Sequence, residues 1–301
     1  MQYKLTGILL SEKEVTGLSW MEWLDDNTRK NLQFNLKHTL AAELSKRCWG
    51  VLRSEESCEL NEYFITDMRG INLAMGLIRC TLKNSGARVI YRGQDRDYPL
   101  LPSLYRTCRN PEDMEILENR LDEVLDIISD EFYPEGAAWE REAVCQHYGM
   151  PTRFLDVADN LQTALWFAYD RTMVSKDREV LPTDDIGYIN IIAVPNDMNE
   201  VKVVDLRNQP SRFLRLHTQQ AFAMKKADPG KNNGLFASYN AAKFMVPREL
   251  LRLWSNHDNI PYEYMFPSEK LDEGLKCWEA LKTKLKEKNI VIEKYLKLYL
   301  E

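Results

Sequence analysis

Apolar residues recur at helical intervals through "SWMEWLDDNTRKNLQFNLKHTLAAELSKRCWGVL", residues 19 to about 50, which predicts one long or two shorter helices after a strand over residues 2–10. A further helix is predicted in "FITDMRGINLAMGLIRCTL", ending before "KNSGA", whose Asn, Ser and Gly suit a turn. The strand "RVIYR" follows at once, and at its end the pattern turns polar with Arg92, Gly93 and Gln94. "NPEDMEILENRLDEVLDIISDEF" then opens with Asn-Pro, a helix start, and sets Met114, Leu117, Leu121, Val124, Leu125 and Ile128 on one stripe. Its many acids occupy the other faces, the pattern of a solvated helix surface.

"AAWEREAVCQHYG" predicts another helix, and "NLQTALWFAYDRT" one more, with Leu161, Ala164, Leu165 and Ala168 at i, i+3, i+4 and i+7 along a buried side. From residue 186 the texture changes. "IGYINIIAV", "VKVVDL", "QQAFAM", "GLFAS" and "AKFMV" are short β-rich runs separated by Pro, Asn, Asp and Gly. Helices return at about 247–256, 268–287 and 289–300. This order predicts an α+β fold rather than regular βαβ alternation, with a helical N-terminal extension over 1–65 and a main domain over 66–301. Trp20, Trp23 and Phe34 on the extension either complete the core or dock a partner.

Composition narrows the classes. Of 301 residues 44% are hydrophobic, which suits an ordinary soluble core. Forty basic against 46 acidic residues leave a net charge of −6, which works against phosphate-driven binding to long duplex nucleic acid but leaves room for a local basic pocket. The cysteines at 48, 58, 80, 108, 145 and 277 form no CxxC pair, and no His stands at zinc-ligand spacing, so no metal site is expected. The N-terminal stretch lacks the features of a secretory signal and no apolar run reaches about 18 residues, so a cytoplasmic protein with free thiols and no membrane association is expected.

Four polar clusters stand at the ends of apolar elements: Tyr91-Arg92-Gly93-Gln94, Gln146-His147-Tyr148-Gly149, Thr152-Arg153 with Asp156, and Gln219-Gln220. An Arg at a strand end, followed by a Gly that lets another backbone or a ligand come close, suits a bidentate anion clamp or an ion pair with a carboxylate such as Asp156. His147 suits a general base or a donor to a ribose hydroxyl, and equally a helix-end residue bonding carbonyls. Thr152 and Asp156 can cap the following helix, and Arg153 can pair with Asp156. Tyr105 and Arg106 can wall a cleft or cover the core.

Taken in order, "YRGQ…YPLLPSLYR", "QHYGMPTRFLD…ALWFA", "RFLRLHTQQAFAM" and "FMVPRELLRLW…IPYEYMFPS" resemble the FRG domain, a family named for its Phe/Tyr-Arg-Gly motif, over roughly residues 68 to 285. The succession of an Arg strand, a hydroxyl-bearing segment before an "AxxFA"-like helix and a later Gln-containing strand is similar to the Arg-Ser-Glu layout of arginine-type ADP-ribosyltransferases. That resemblance implies an ADP-ribosyltransferase-like β core of short strands with flanking helices. It puts Arg92 in the first position, Thr152 in the hydroxyl position and Gln219 or Gln220 in the glutamate position. With them, His147 and Asp156 complete the implied catalytic set, and Tyr91, Arg92, Gly93, Gln94, Gln146, His147, Tyr148 and Arg153 the implied set around NAD as co-substrate. The implied acceptor is RNA, such as mRNA, or protein, and the implied setting is a toxin or anti-phage effector neutralised by an antitoxin. "HTQQAFAMK" holds no carboxylate, and Gln cannot serve as a general base. The negative charge would then come from Asp156 or Glu142, or else the domain binds a nucleotide or peptide without cleaving it, as a sensor module.

Overall fold

The computed structural model describes residues 51–53, 62–65, 71–72, 75–76, 78–79, 87–170, 186–195, 200–227 and 236–299. In chain order the strands are β1 (Val51–Arg53), β2 (Glu62–Ile65), β3 (Ala87–Gln94), β4 (Leu155–Ala158), β5 (Ile186–Pro195), β6 (Val201–Asp205), β7 (Ala221–Lys226) and β8 (Asn240–Pro247). The helices are α1 (Pro111–Ile128), α2 (Ala138–His147), α3 (Leu161–Tyr169), α4 (Leu214–Thr218), α5 (Arg248–Trp254), α6 (Tyr262–Met265), α7 (Glu273–Glu287) and α8 (Ile292–Tyr295). The fold is mixed α/β and divides into two compact units: Met1–Tyr98, Asp159–Met198 and Phe236–Asn259 form the first, and Pro99–Ala158, Asn199–Leu235 and Ile260–Glu301 the second.

In the first unit the strands run in the order β1, β2, β8, β5, β3; β2 pairs with β8 in parallel and the other neighbours are antiparallel. β3 and β5 stay in register from Ala87 opposite Pro195 to Gln94 opposite Tyr188. Side chains alternate across a sheet. Tyr91 of β3, Ile189, Ile191 and Ala193 of β5, and Phe244 and Val246 of β8 therefore share one apolar face, onto which α3 lays Ala164, Leu165 and Ala168. Ile71, Met75 and Ile78, from helical turns within 71–79, join the same core. Arg248 at the start of α5 ties these pieces together: its guanidinium donates to the carbonyls of Tyr169 at 2.6 Å and Asp95 at 2.9 Å.

The second unit sets β7 between β4 and β6, all antiparallel. α1 starts as its sequence dictates: Asn110 caps it by accepting from the Asp113 N–H at 2.8 Å, and Pro111 takes the first position, where no N–H is needed. All six residues of the predicted α1 stripe are buried. Phe132 anchors the core with its ring centroid 5.6 Å from Phe213 and 5.4 Å from Trp278. α2 ends where Gly149 takes φ +95°, a conformation that costs glycine nothing, and the Met150 N–H turns back to the Cys145 carbonyl.

Several expectations are corrected. Val51, Leu52, Phe64 and Ile65, read from the sequence as parts of helices, lie in strands β1 and β2 of the first unit's sheet. The strand over 2–10, the helices up to residue 50, and Trp20, Trp23 and Phe34 fall outside the described residues. β3 continues two residues past Arg92. Of "GLFAS", Ala237 and Ser238 belong to a single 3-10 turn, Ala237–Tyr239. The helix expected over 289–300 is one turn, Ile292–Tyr295. Neither Thr152 nor Asp156 caps the next helix; Asn160 does, accepting from the Thr163 N–H at 2.7 Å, while Asp156 lies within β4 opposite Ala223.

Candidate functional site

On the face of the first unit's sheet away from α3, the pleat brings Arg92, Asn190 and Lys243 into one register row across β3, β5 and β8. Asn190 is 1% exposed and its amide donates to the side-chain carbonyl of Gln94 at 2.8 Å; Gln94 itself is buried. Lys243 pairs with Asp97 at 2.8 Å. Arg92 and the Asp97-paired Lys243 thus flank a buried amide on this face. Tyr91 does not share it. Its ring lies in the apolar core under Arg79, and burial raises its hydroxyl pKa. Gly93 points the same way as Tyr91, and its missing side chain serves protein packing: a methyl there would overlap the Ala164 carbonyl and lie 2.9 Å from the Ala168 nitrogen. The neighbour that Gly93 admits is helix α3, not a ligand.

The second unit gathers Gln146, His147, Thr152, Asp156 and Gln219. His147 closes α2, and its ring stands between two oxygens: Nδ1 is 3.0 Å from the Gln219 side-chain oxygen and Nε2 is 3.4 Å from the Asp156 carboxylate. The imidazole is 5% exposed and the Asp156 side chain 41%, so the carboxylate is the outward member of the pair. His147 thus holds no backbone carbonyl with its ring. Its own carbonyl accepts from the Arg215 guanidinium at 2.6 Å, which stacks over Tyr148 and Phe266; burial lowers the Arg215 pKa.

Other sequence-predicted residues are occupied internally. Thr152 is 0% exposed, donates to the Gln146 side chain and accepts from the Phe154 N–H, so its hydroxyl faces protein and Gln146 is held with it. Tyr148 donates to Asp272 at 2.9 Å, and burial together with that carboxylate drives its pKa far up. Arg153 pairs not with Asp156 but with Glu142 at 2.8 Å and Asp122 at 2.7 Å. Burial opposes its charge, but the bonds to Glu142 and then Asp122 raise its pKa above the ordinary value. Glu142, 1% exposed, also accepts from the Arg153 N–H and from Lys225 at 3.2 Å, which consumes its oxygens. Gln219 and Gln220 are not in a strand: Gln219 caps α4, and Gln220, exposed, turns the corner into β7 at φ +49°.

Arg92, Tyr91, Gly93 and Gln94 thus belong to the first unit, and Gln146, His147, Tyr148, Thr152, Arg153, Asp156, Gln219 and Gln220 to the second. Asn190, Lys243, Arg215 and Asp272 were missed from sequence. A polar residue inside the apolar runs "IGYINIIAV" and "AKFMV" was the available signal for the first two; nothing local marks the others. Among the described residues no group of three or more His, Cys, Asp or Glu could hold a metal ion, and no helix is long and apolar enough to cross a membrane. No curated protein and no solved structure matches the chain. Residues 87–177, the stretch that carries Arg92, His147, Thr152 and Asp156, match the family model for the FRG domain.

Proposed function

We propose that the chain is an NAD-dependent ADP-ribosyltransferase that modifies a macromolecule, RNA such as mRNA or a protein, and works as a toxin or anti-phage effector under the control of an antitoxin. The observation that carries this reading is the His147 ring held between Gln219 and the outward carboxylate of Asp156. In the reaction the bond from ribose C1′ to the nicotinamide nitrogen breaks, nicotinamide leaves with the electron pair, and an acceptor hydroxyl or amine bonds to C1′. Positive charge builds on the sugar as in glycoside cleavage. Asp156 supplies the negative charge that Gln219 and Gln220 cannot, and the acceptor's proton passes by way of this outward carboxylate to His147 Nε2 behind it. Glu142, the other acidic candidate, is less suited because Arg153 and Lys225 already claim it.

Incubation with NAD labelled in the adenylate half, together with RNA or protein acceptors, tests the proposal. Label should move to an acceptor with release of nicotinamide, and His147→Ala and Asp156→Asn should each slow it by about a hundredfold or more. Absence of both label transfer and nicotinamide release over a broad acceptor panel would refute it.

A second reading, a nucleotide- or peptide-binding module without turnover, draws on one observation: Gln219, which with Gln220 stands where the resemblance implies a glutamate, is buried and bonded at both ends of its amide. Calorimetry separates the two, since tight binding of NAD that remains intact over hours favours the module.

A further inference from the structure

We infer that Gln219 is a positioning residue that sets the tautomer of His147, an inference that rests on the reading of His147 as a proton-handling group. Gln219 is 5% exposed. Its side-chain nitrogen lies 2.8 Å from the Met265 backbone carbonyl, and a carbonyl oxygen only accepts, so the amide nitrogen must be the end that points there. The other end, the side-chain oxygen, is thereby turned to His147 Nδ1 at 3.0 Å. An amide oxygen also only accepts, so Nδ1 must carry the hydrogen. In the neutral ring Nε2 then bears the lone pair, and it is this nitrogen that stands beside Asp156 at 3.4 Å.

The chain holds this orientation twice through one element. α4 ends at Thr218, with Gln219 as its cap, and Arg215 within the same helix donates to the His147 backbone carbonyl at 2.6 Å. Ring and backbone of His147 are thus gripped by residues four apart, one helical turn, while Met265 at the end of α6 fixes the amide. The result is an arrangement in which an acceptor on Nδ1–H orients the ring and turns Nε2 to Asp156, the orienting role an acidic residue plays in hydrolase triads, here filled by an uncharged amide. It also separates the two glutamines: Gln219 is buried and acts through His147, whereas Gln220 is exposed at the corner into β7.

Imidazole 15N chemical shifts of the full chain test the inference without reference to NAD, and with four histidines in the sequence the His147 signals can be assigned by His147→Gln. At a pH where the ring is neutral, wild type should show hydrogen on Nδ1 only. Gln219→Leu should give a mixture with hydrogen on Nε2, and Gln219→Glu, which keeps an acceptor for Nδ1–H, should restore the wild-type pattern. Hydrogen on Nε2 in the wild type would overturn the inference whether or not any variant folds, as would an unchanged tautomer in folded Gln219→Leu. If nicotinamide release is observed, Gln219→Leu should lower kcat by roughly tenfold or more with little change in KM for NAD; the NMR result stands even if no transfer activity is found.

Discussion

Replacing Gly93 by Ala tests what that glycine is for. A methyl at 93 would overlap the Ala164 carbonyl oxygen, sit 2.7 Å from its carbon and 2.9 Å from the Ala168 nitrogen, so both obstacles are helix backbone and cannot rotate away. Carbon atoms in contact prefer about 3.5–4.0 Å, so α3 has to retreat from β3 by roughly an ångström or more. A gap of about 0.5–1 Å already forfeits a quarter to a half of each dispersion contact, and α3 contributes the buried Ala164, Leu165 and Ala168 to the first unit's core. Overpacking of this kind costs about 1–3 kcal/mol and sometimes more, and alanine's better strand entropy returns only about 0.5–1 kcal/mol. Because both obstacles are backbone, the upper end of that cost applies, and the expected net loss is about 2 kcal/mol, read as a lower urea midpoint in far-UV circular dichroism with an unchanged slope. Were Gly93 instead a gap kept open for a ligand, the variant would match wild type in stability and differ only in binding. A change below about 0.5 kcal/mol, the usual range for inconsequential substitutions, would refute the packing explanation.

Two further outcomes are expected. Glu142→Gln, which strands the buried side of Arg153, should cost about 3–5 kcal/mol, whereas Glu142→Leu combined with Arg153→Met should recover most of that loss in urea unfolding; a single variant within about 1 kcal/mol of wild type would contradict it. Burial, then Asp113 and Glu118, push the Cys108 thiol up to about 11. Peptide-mapped alkylation at pH 8 should therefore run about two orders of magnitude slower there than at an ordinary thiol. The sign follows from the raised value: the folded state keeps this proton longer than the unfolded chain, so the stabilisation is whole below the ordinary thiol pKa and drains away as pH climbs toward 11. A rate at pH 8 equal to that of free cysteine would contradict this.

Where periodicity is long and its ends are punctuated, the sequence was a good guide. Asn110, Pro111 and the stripe from Met114 to Ile128 encode α1 completely, because cap, start and buried face are all local properties. The strands from "RVIYR", "IGYINIIAV" and "VKVVDL" appear for the same reason. α4 and α6 are too short for a helical period to register, and both help place His147. Local pattern also says nothing about which distant group meets a polar side chain. Arg153 was read against Asp156, three residues away, while its actual partners, Glu142 and Asp122, come from α2 and α1. Arg92, His147 and Asp156 were legible as polar residues beside apolar runs, although only His147 ends its element; the alignment of Asn190 and Lys243 with Arg92 was not, because register is a property of pairing.

The chain's repeated passage between its two units bears on how the protein can be made and divided. β3 and β4 lie inside the stretch 87–177, but β5, which pairs with β3, and β7, which pairs with β4, both come later. Excised on its own, that stretch would present two strand edges with no mates, the condition that invites aggregation. During synthesis the first unit's sheet has to wait for β8, which is made after all three strands of the second unit. The family signature therefore marks a region of the chain but not a portable part, and truncation mapping would report loss of solubility well before loss of any contact residue.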